Sequence, residues 1–238
     1  MAGGLVTWPK LFLLGDSQTQ LGFSDSGCWL SIVANHFQRR CDVLSRGFSG
    51  YNTRWLKLML PRLIDAELAK TCAAITLFIG SNDAVALPES PQGVPLPEYK
   101  QTVKDIVQYL LDLNVSREKI ILISPPPVDA DLWSVSLTKK GVPPKHGLSN
   151  ERTCTYAAAL CDVAQELGVG SIDLYTEMMK SEEWRKYVSF DGLHLAKEGS
   201  QLLSELVIRK LEKITSDCEV IFPDWKELDY ENLSSNFS

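Results

Sequence analysis

Long apolar runs, early positive charge and paired cysteines are all missing from this sequence. Its longest apolar runs fall well short of the ~20 residues that a membrane-spanning helix needs. No positively charged residue precedes Lys10, and the apolar run after Lys10 is short, so a secretory signal is not expected. The cysteines form no C-x-x-C pair, which argues against common zinc and redox motifs and favours free thiols in a reducing compartment. We therefore predict a cytoplasmic protein without a membrane span.

Basic stripes and several familiar motifs are missing as well. The net charge of −6 lies mostly in residues 216–238, which contain six acidic residues and one basic residue. Because no basic stripe is present, nucleic acid is not an expected partner. The sequence also lacks the patterns G-x-G-x-x-G, G-x-x-x-x-G-K-[ST], H-E-x-x-H and G-x-S-x-G. These absences argue against dinucleotide binding, P-loop chemistry, a zinc-protease helix and the larger α/β-hydrolase fold.

What remains is a regular alternation of short apolar strands with amphipathic helices. This pattern predicts one doubly wound α/β domain with a parallel sheet over residues 1–215, followed by an acidic tail over 216–238. We expect a surface loop at 84–97 and a long irregular segment at 128–147. The length of the second segment suggests a loop or lid beside a site, but solvated charge explains its basic cluster as well and is the favoured interpretation. The predicted strands lie at 11–14, 41–45, 73–79, 119–124 and within 168–173, and the predicted helices at about 28–39, 53–64, 98–113, 151–167, 174–187 and 196–214.

The first predicted strand ends in Gly15-Asp16-Ser17, a tight turn that displays small polar side chains. Turns of this kind most often cap the next helix and carry no chemistry. In a parallel sheet, however, ligands bind at the carboxyl ends of the strands, which makes Ser17 a candidate nucleophile. A serine hydroxyl is a weak nucleophile by itself, so the hypothesis requires a base and oxyanion donors elsewhere in the chain.

Polar turns at corresponding places supply those partners. His194 follows Asp191 by three residues, so the Asp191 carboxylate can orient one imidazole nitrogen while the other takes the proton of Ser17. Gly50 follows the second predicted strand and Asn82 the third. The backbone N–H groups of Ser17 and Gly50 and the side-chain amide of Asn82 can together form an oxyanion hole. Each residue has an ordinary alternative as a turn former or an exposed ion pair, and it is their conjunction that indicates nucleophilic catalysis.

These blocks resemble the SGNH, or GDSL-like, hydrolase family, which is named for a serine, a glycine, an asparagine and a histidine in separate blocks. In this sequence the four positions are Ser17, Gly50, Asn82 and His194. The resemblance runs over about 10–214 and is narrowed to the isoamyl acetate-hydrolysing esterase branch by the segments 46–55, 123–127 and 191–195. It implies a flavodoxin-like three-layer α/β/α sandwich with a five-stranded parallel sheet. It also implies hydrolysis of short-chain carboxylic esters, with a small-molecule ester as the partner and no metal or organic cofactor.

The substrate pocket is less well defined by the sequence. Candidates for an acyl or alcohol pocket are the apolar residues that flank the site in sequence, Leu21, Phe23, Phe190 and Leu193. Gln18 departs from the family pattern, in which an apolar residue usually follows the serine, and it bears on how the pocket is lined. An acyltransferase or a sugar deacetylase with the same residues, or a binding module with a silent site, stays open as an alternative. The oligomeric state is open too.

Overall fold

A parallel sheet forms the centre of the molecule. The computed structural model describes residues 5–86, 90–141 and 147–237. Within these residues, five parallel strands form one sheet in the order β2-β1-β3-β4-β5. This is the strand order of flavodoxin-like folds. The strands are β1 (Lys10–Gly15), β2 (Asp42–Gly47), β3 (Cys72–Phe78), β4 (Ile120–Ile123) and β5 (Gly170–Ile172).

Helices cover both faces of this sheet. They are α1 (Ser17–Gln20), α2 (Trp29–His36), α3 (Thr53–Met59), α4 (Ala66–Ala69), α5 (Leu96–Asp112), α6 (Ala130–Lys139), α7 (Asn150–Leu167), α8 (Leu174–Met179) and α9 (Lys197–Ile214). The buried side chains of α3, α5 and α7 pack in one core, and those of α2, α8 and α9 pack in a second core on the opposite face.

The central strand β1 explains why there are three layers. Its residues alternate between the two cores, with Leu11 and Leu13 in one and Phe12 and Leu14 in the other, and all four are fully buried. Successive side chains of a strand point to opposite faces, so a strand that is apolar at every position needs a helical layer on each side. The predicted three-layer α/β/α sandwich with a five-stranded parallel sheet is therefore confirmed.

The ends of three strands meet at one edge of the sheet. Gly15, the last residue of β1, pairs with Gly47 of β2 and with Phe78 of β3. β1 lies between β2 and β3, where the order of the strands reverses, and open α/β sheets bind ligands in the crevice at this point. The fold thus brings together the turns in which the sequence predicts the nucleophile and the oxyanion hole.

The segment 128–147 differs from its prediction, because α6 occupies its middle part. The Asp129 carboxylate caps this helix by accepting a hydrogen bond from the Leu132 N–H (3.2 Å), and Leu137 is buried. The helix has a narrow apolar face and several hydroxyl side chains, so hydrophobic periodicity did not indicate it. Residues 142–146 of the predicted segment lie outside the described residues.

The segment 84–97 is also more than a surface loop. Val85 and Val94 are buried, and the Val94 N–H donates to the Asp83 carbonyl (3.0 Å), which ties the segment to the end of β3. Residues 87–89 lie outside the described residues. Earlier in the chain, the predicted helix at 53–64 is shorter than expected: α3 ends at Met59, and Pro61 lies in a short 3-10 turn.

The beginning of the acidic tail lies against the turn that follows α2. The Ile221 N–H donates to the Arg39 carbonyl (2.7 Å), and the Arg39 guanidinium donates to the Pro223 carbonyl (2.8 Å). The division at residue 215 into a catalytic domain and a tail stays a prediction.

Of the helices in residues 5–86, 90–141 and 147–237, none has the length and apolar character required to cross a membrane.

Candidate active site

Ser17 lies at the first residue of α1, directly after the central strand. The Asp16 carboxylate caps this helix by accepting from the Gln18 N–H (2.9 Å). Gly15 makes the turn possible, because a Cβ at this position would lie 2.3 Å from the Phe78 carbonyl oxygen. The strand end and the cap therefore fix the backbone on both sides of the Ser17 side chain.

A line of hydrogen bonds runs from Asp191 through His194 to Ser17. His194 Nε2 lies 2.9 Å from Ser17 Oγ, although the two residues are 177 positions apart in the chain. His194 Nδ1 lies 2.6 Å from Asp191 Oδ2. The structure thus brings together the predicted nucleophile, base and orienting acid with the spacing required for proton transfer.

Asp191 is held as an anion by its surroundings. Its Oδ1 accepts from the backbone N–H groups of Leu193 and His194, both at 3.0 Å, and from the Ser189 hydroxyl at 2.7 Å. Burial raises the pKa of a carboxyl group, but the hydrogen bond and charge of His194 and the two N–H groups outweigh burial here. They hold the pKa of Asp191 well below its usual range. Asp191 is therefore ionised at neutral pH and can stabilise a protonated His194.

The loop that carries Asp191 and His194 packs closely on the start of α6. Gly192 has a φ of +80°, and a Cβ at this position would lie 2.4 Å from the Asp129 carbonyl oxygen. The Asp129 N–H donates to the Gly192 carbonyl (2.8 Å), and Asp129 also forms an ion pair with Arg185 (2.6 Å). Glycine is needed here both for the backbone conformation and for the close approach.

α6 also contributes an aromatic side chain beside the base. The Trp133 ring is edge-on to the His194 ring, with 6.2 Å between the ring centroids. Sequence reasoning missed Trp133 because it treated this segment as irregular. A helix predicted at 130–139 would have been the one available indication that Trp133 lies near His194.

The predicted oxyanion-hole residues occupy the neighbouring turns. Gly50 has a φ of +80°, and Asn82 is almost buried, with its Nδ2 donating to the Tyr51 carbonyl (2.8 Å). Gln92, which no motif singled out, donates from Nε2 to the Gly50 carbonyl (2.8 Å) and to Asn82 Oδ1 (3.1 Å). The turn after β2 is also joined to α1, because the Ser49 N–H donates to Gln20 Oε1 (2.7 Å). The catalytic roles of Ser17, Gly50 and Asn82 in this hole stay predictions.

Gln18 sends its side chain to the histidine loop. Its Nε2 donates to the Leu193 carbonyl (2.9 Å), and its Oε1 accepts from the Leu195 N–H (3.2 Å). These two bonds flank His194 on both sides. The side chain is almost fully buried, and the Gln18 carbonyl accepts from Trp29 Nε1 (2.8 Å). The amide therefore links the nucleophile turn to the backbone that carries the base.

The four predicted pocket residues lie in different environments. Phe190 is 92% exposed and Phe23 is 51% exposed, whereas Leu193 is buried and Leu21 is half-buried. Their role as a substrate pocket stays a prediction. A cavity of about 450 Å³ lies close to the Gly50 turn in sequence and is lined by Tyr51, Trp55, Leu58 and Met59.

Two further carboxyl groups are buried at this edge of the sheet. Burial raises the pKa of Asp16 to about 7, in opposition to the Gln18 N–H and to the charge of His194. Burial likewise raises the pKa of Asp83 to about 7, although the Thr53 hydroxyl and N–H donate to it. The two carboxyl groups therefore change charge near neutral pH.

The side chains that could bind a metal ion are dispersed in the part of the chain that the structure describes. All six cysteines are free. Within residues 5–86, 90–141 and 147–237, no group of three or more histidine, cysteine, aspartate or glutamate side chains is arranged to hold a metal ion.

Comparison with known proteins adds independent evidence on the family. Residues 13–202 match the model of the GDSL-like lipase/acylhydrolase family. The chain is 41% identical over 231 residues to the isoamyl acetate-hydrolyzing esterase 1 homolog of Mus musculus, across 96% of this chain and 91% of that protein. It is 37% identical over 213 residues to a GDSL esterase/lipase of Arabidopsis thaliana, across 86% of each chain.

Solved structures share the fold at lower sequence identity. A lipase/acylhydrolase from Enterococcus faecalis superposes with a TM-score of 0.69 at 22% identity, across 89% of this chain and 97% of that one. A catalytic mutant of an acetylxylan esterase from Geobacillus stearothermophilus superposes with a TM-score of 0.64 at 18% identity, across 87% and 95%. The family match and the identity to these relatives extend over most of the chain. The chain therefore belongs to the GDSL-like lipase/acylhydrolase family and is a hydrolase of the SGNH type.

Proposed function

We propose that this protein is a serine esterase that hydrolyses short-chain carboxylic esters, acetate esters in particular, through an acyl-enzyme at Ser17. The observation that carries the proposal is the continuous line of hydrogen bonds from Asp191 through His194 to Ser17. The relatives in Mus musculus and Rattus norvegicus that are named isoamyl acetate-hydrolyzing esterase 1 homolog support an acetate-type ester as the substrate.

In the first half of the reaction, His194 Nε2 takes the proton of Ser17 as Ser17 Oγ attacks the ester carbonyl carbon. The ionised Asp191 holds the imidazole in place and stabilises the positive charge that forms on it. As the tetrahedral intermediate collapses, the bond to the leaving oxygen breaks, and His194 returns the proton to that oxygen. The alcohol leaves, and the acyl group stays on Ser17.

The negative charge on the former carbonyl oxygen needs hydrogen-bond donors that are already in place. We assign the backbone N–H groups of Ser17 and Gly50 and the side-chain N–H of Asn82 to this role. Removal of one donor of this kind typically lowers kcat by ~100- to 1,000-fold.

In the second half, water takes the position of the alcohol. His194 removes a proton from the water, the hydroxyl attacks the acyl carbon, and the bond to Ser17 Oγ breaks as His194 returns the proton to the serine. The carboxylic acid leaves. Each half thus uses the same three side chains, and the site returns to its starting state.

The test compares Ser17→Ala with the wild-type protein on p-nitrophenyl acetate and isoamyl acetate, together with labelling by a fluorophosphonate probe. Ser216→Ala, a serine on the exposed tail, is the matched control. We expect labelling and hydrolysis in the wild type and in Ser216→Ala, and neither in Ser17→Ala. Unchanged hydrolysis in Ser17→Ala would overturn the proposal, and a wild type without labelling or turnover would indicate a silent binding module.

Hydrolysis and acyl transfer are separated by the fate of the acyl group. With added short alcohols or sugars, a hydrolase releases mainly the free acid, whereas a transferase forms mainly new esters.

A cytoplasmic location also stays a proposal, and fractionation of cells that express the protein tests it.

A further inference from the structure

We propose that Gln92 is a positioning residue that fixes the orientation of the Asn82 amide in the oxyanion hole. The inference rests on the proposed function, because it concerns the donor that Asn82 presents to the reacting ester. Gln92 lies in the segment 84–97, which carries no recognisable motif.

The contacts of Gln92 join the two predicted oxyanion residues. Its Nε2 donates one hydrogen bond to the Gly50 carbonyl (2.8 Å) and a second to Asn82 Oδ1 (3.1 Å). A Cβ built on Gly50 would lie 3.1 Å from this nitrogen, so the Gly50 backbone approaches the Gln92 amide closely. A single side-chain amide thus bridges the turn after β2 and the turn after β3.

The orientation of these amides is determined by backbone carbonyls. A carbonyl only accepts hydrogen bonds, so the Gly50 carbonyl requires that Gln92 present its nitrogen. That nitrogen in turn requires that Asn82 present its oxygen to Gln92. The Asn82 nitrogen then faces the opposite way, where a second backbone carbonyl, that of Tyr51, accepts from it (2.8 Å). The two carbonyls therefore select one orientation for both amides.

This orientation has a direct chemical consequence. An amide nitrogen carries two N–H bonds, and Asn82 uses one of them on Tyr51. The other is the one available to a substrate oxygen. If the Asn82 amide rotated by half a turn, its oxygen would take the place of the nitrogen and repel the developing oxyanion. Gln92 opposes this rotation, because it would then place nitrogen against nitrogen.

The backbone of Gln92 is itself held in place. Its carbonyl accepts from Asn52 Nδ2 (2.8 Å), and Asn52 Oδ1 caps α3 by accepting from the Trp55 N–H (3.0 Å). Two residues further on, the Val94 N–H donates to the Asp83 carbonyl (3.0 Å). The backbone that carries the Gln92 amide is therefore fixed, as a positioning role requires.

The test uses Gln92→Met, which removes the donor, and Gln92→Glu, which is isosteric but presents only oxygens when ionised. We expect kcat to fall by about 10-fold in Gln92→Met, with KM within about 2-fold, because only the transition state carries the oxyanion. We expect a larger fall in Gln92→Glu, since its carboxylate accepts from Asn82 Nδ2 and draws that nitrogen away from the substrate. Gln101→Met, at an exposed position of α5, is the matched control and retains wild-type kcat.

Two readouts distinguish positioning from a loss of loop structure. In an Asn82→Ala background, Gln92→Met should lower kcat by only about 2-fold more, because the amide that it positions is gone. A trifluoromethyl ketone, whose adduct with Ser17 carries an anionic oxygen, should bind more weakly to Gln92→Met by the same factor as kcat/KM falls.

The inference is overturned if both Gln92 variants retain kcat within 2-fold, or if the loss in Gln92→Met is as large in the Asn82→Ala background as in the wild type. If Gln92→Met does not fold, the isosteric Gln92→Glu and its inhibitor affinity decide the question. Failure of the proposed function is a separate result: it appears as activity in Ser17→Ala, whatever the Gln92 variants do.

Discussion

In the proposed mechanism, three side chains divide the chemistry of the candidate site between them. Ser17 would provide the attacking oxygen, His194 would carry the proton, and Asp191 would orient the imidazole and stabilise its charge. Asp191 accepts four hydrogen bonds, all from its own loop, and two of them come from the Ser189 hydroxyl and the Leu193 N–H, which have no direct part in the proposed reaction.

Asp191→Asn tests the orienting role directly. The amide removes the negative charge and can present a nitrogen to His194, which favours the wrong tautomer. We expect kcat for p-nitrophenyl acetate to fall by about 10³- to 10⁴-fold, with the circular dichroism spectrum unchanged. The exposed Asp131→Asn is the control and keeps wild-type turnover. A fall of less than 10-fold in Asp191→Asn would mean that another residue orients His194.

Substitution of Gln18 should affect both stability and turnover. In Gln18→Met, the buried Leu193 carbonyl and Leu195 N–H lose their partners, so the free energy of unfolding should fall by about 1–3 kcal/mol. Displacement of the His194 backbone should lower kcat by about 10- to 100-fold. Gln18→Glu keeps the bond from Leu195 and should lie between Gln18→Met and the wild type in urea unfolding and in turnover. Equal stability of all three proteins would contradict this account.

At the scale of elements, the loop of residues 189–195 and the start of α6 form one unit. Gly192 has a positive φ, and a Cβ at this position would lie 2.4 Å from the Asp129 carbonyl oxygen, so the loop and the start of α6 are in close contact. The start of α6 therefore packs directly against the loop that carries Asp191.

Gly192→Ala tests this packing, and Gly141→Ala is its matched control. Both glycines have a positive φ, but a Cβ on Gly141 meets no atom of the described residues within 4 Å. Gly141→Ala should therefore cost only the backbone strain, about 1–2 kcal/mol of unfolding free energy, with turnover unchanged. Gly192→Ala should cost more and should also lower kcat, because the loop must move away from Asp129. Indistinguishable stability and turnover in the two variants would contradict the packing role.

The sequence predicted the elements whose signals are local. β1 is apolar at every position from Leu11 to Leu14, and α9 repeats its apolar residues at helical spacing, so both are evident from the sequence alone. α6 was missed because its support comes from the Asp129 cap and from contact with the Gly192 loop rather than from a broad apolar face.

The same limit applies to the site. Ser17, Asp191 and His194 were predicted as a set because they follow corresponding strands or share one loop. Gln92 and the amide contacts of Gln18 were not predictable, since they depend on which segments meet in space, at separations of 42 and 175 residues for two of these hydrogen bonds.

At the scale of the whole molecule, two buried carboxyl groups couple stability to pH. The pKa values of Asp16 and Asp83 are raised by burial to about 7. In the unfolded chain, these groups release their protons near pH 4. Between about pH 4 and pH 7 the folded protein therefore binds more protons than the unfolded chain, so these two groups make stability fall as pH rises.

Asp83→Asn isolates this effect. The amide oxygen can still accept from the Thr53 N–H, but the group no longer titrates. From urea unfolding at pH 5 and pH 7.5, we expect a smaller loss of stability with rising pH in Asp83→Asn than in the wild type. Asp131→Asn, an exposed carboxylate, should keep the wild-type difference. An identical pH dependence in Asp83→Asn and the wild type would show that Asp83 is already ionised at pH 5.

The central claim is that acyl transfer passes through Ser17, and mass spectrometry of the enzyme quenched during turnover of p-nitrophenyl acetate tests it most directly. We predict an acetyl group on the peptide that contains Ser17, and none on the corresponding peptide of Ser17→Ala. Steady hydrolysis by the wild type without acetyl on Ser17 at any quench time, accompanied by equal hydrolysis in Ser17→Ala, would contradict the claim.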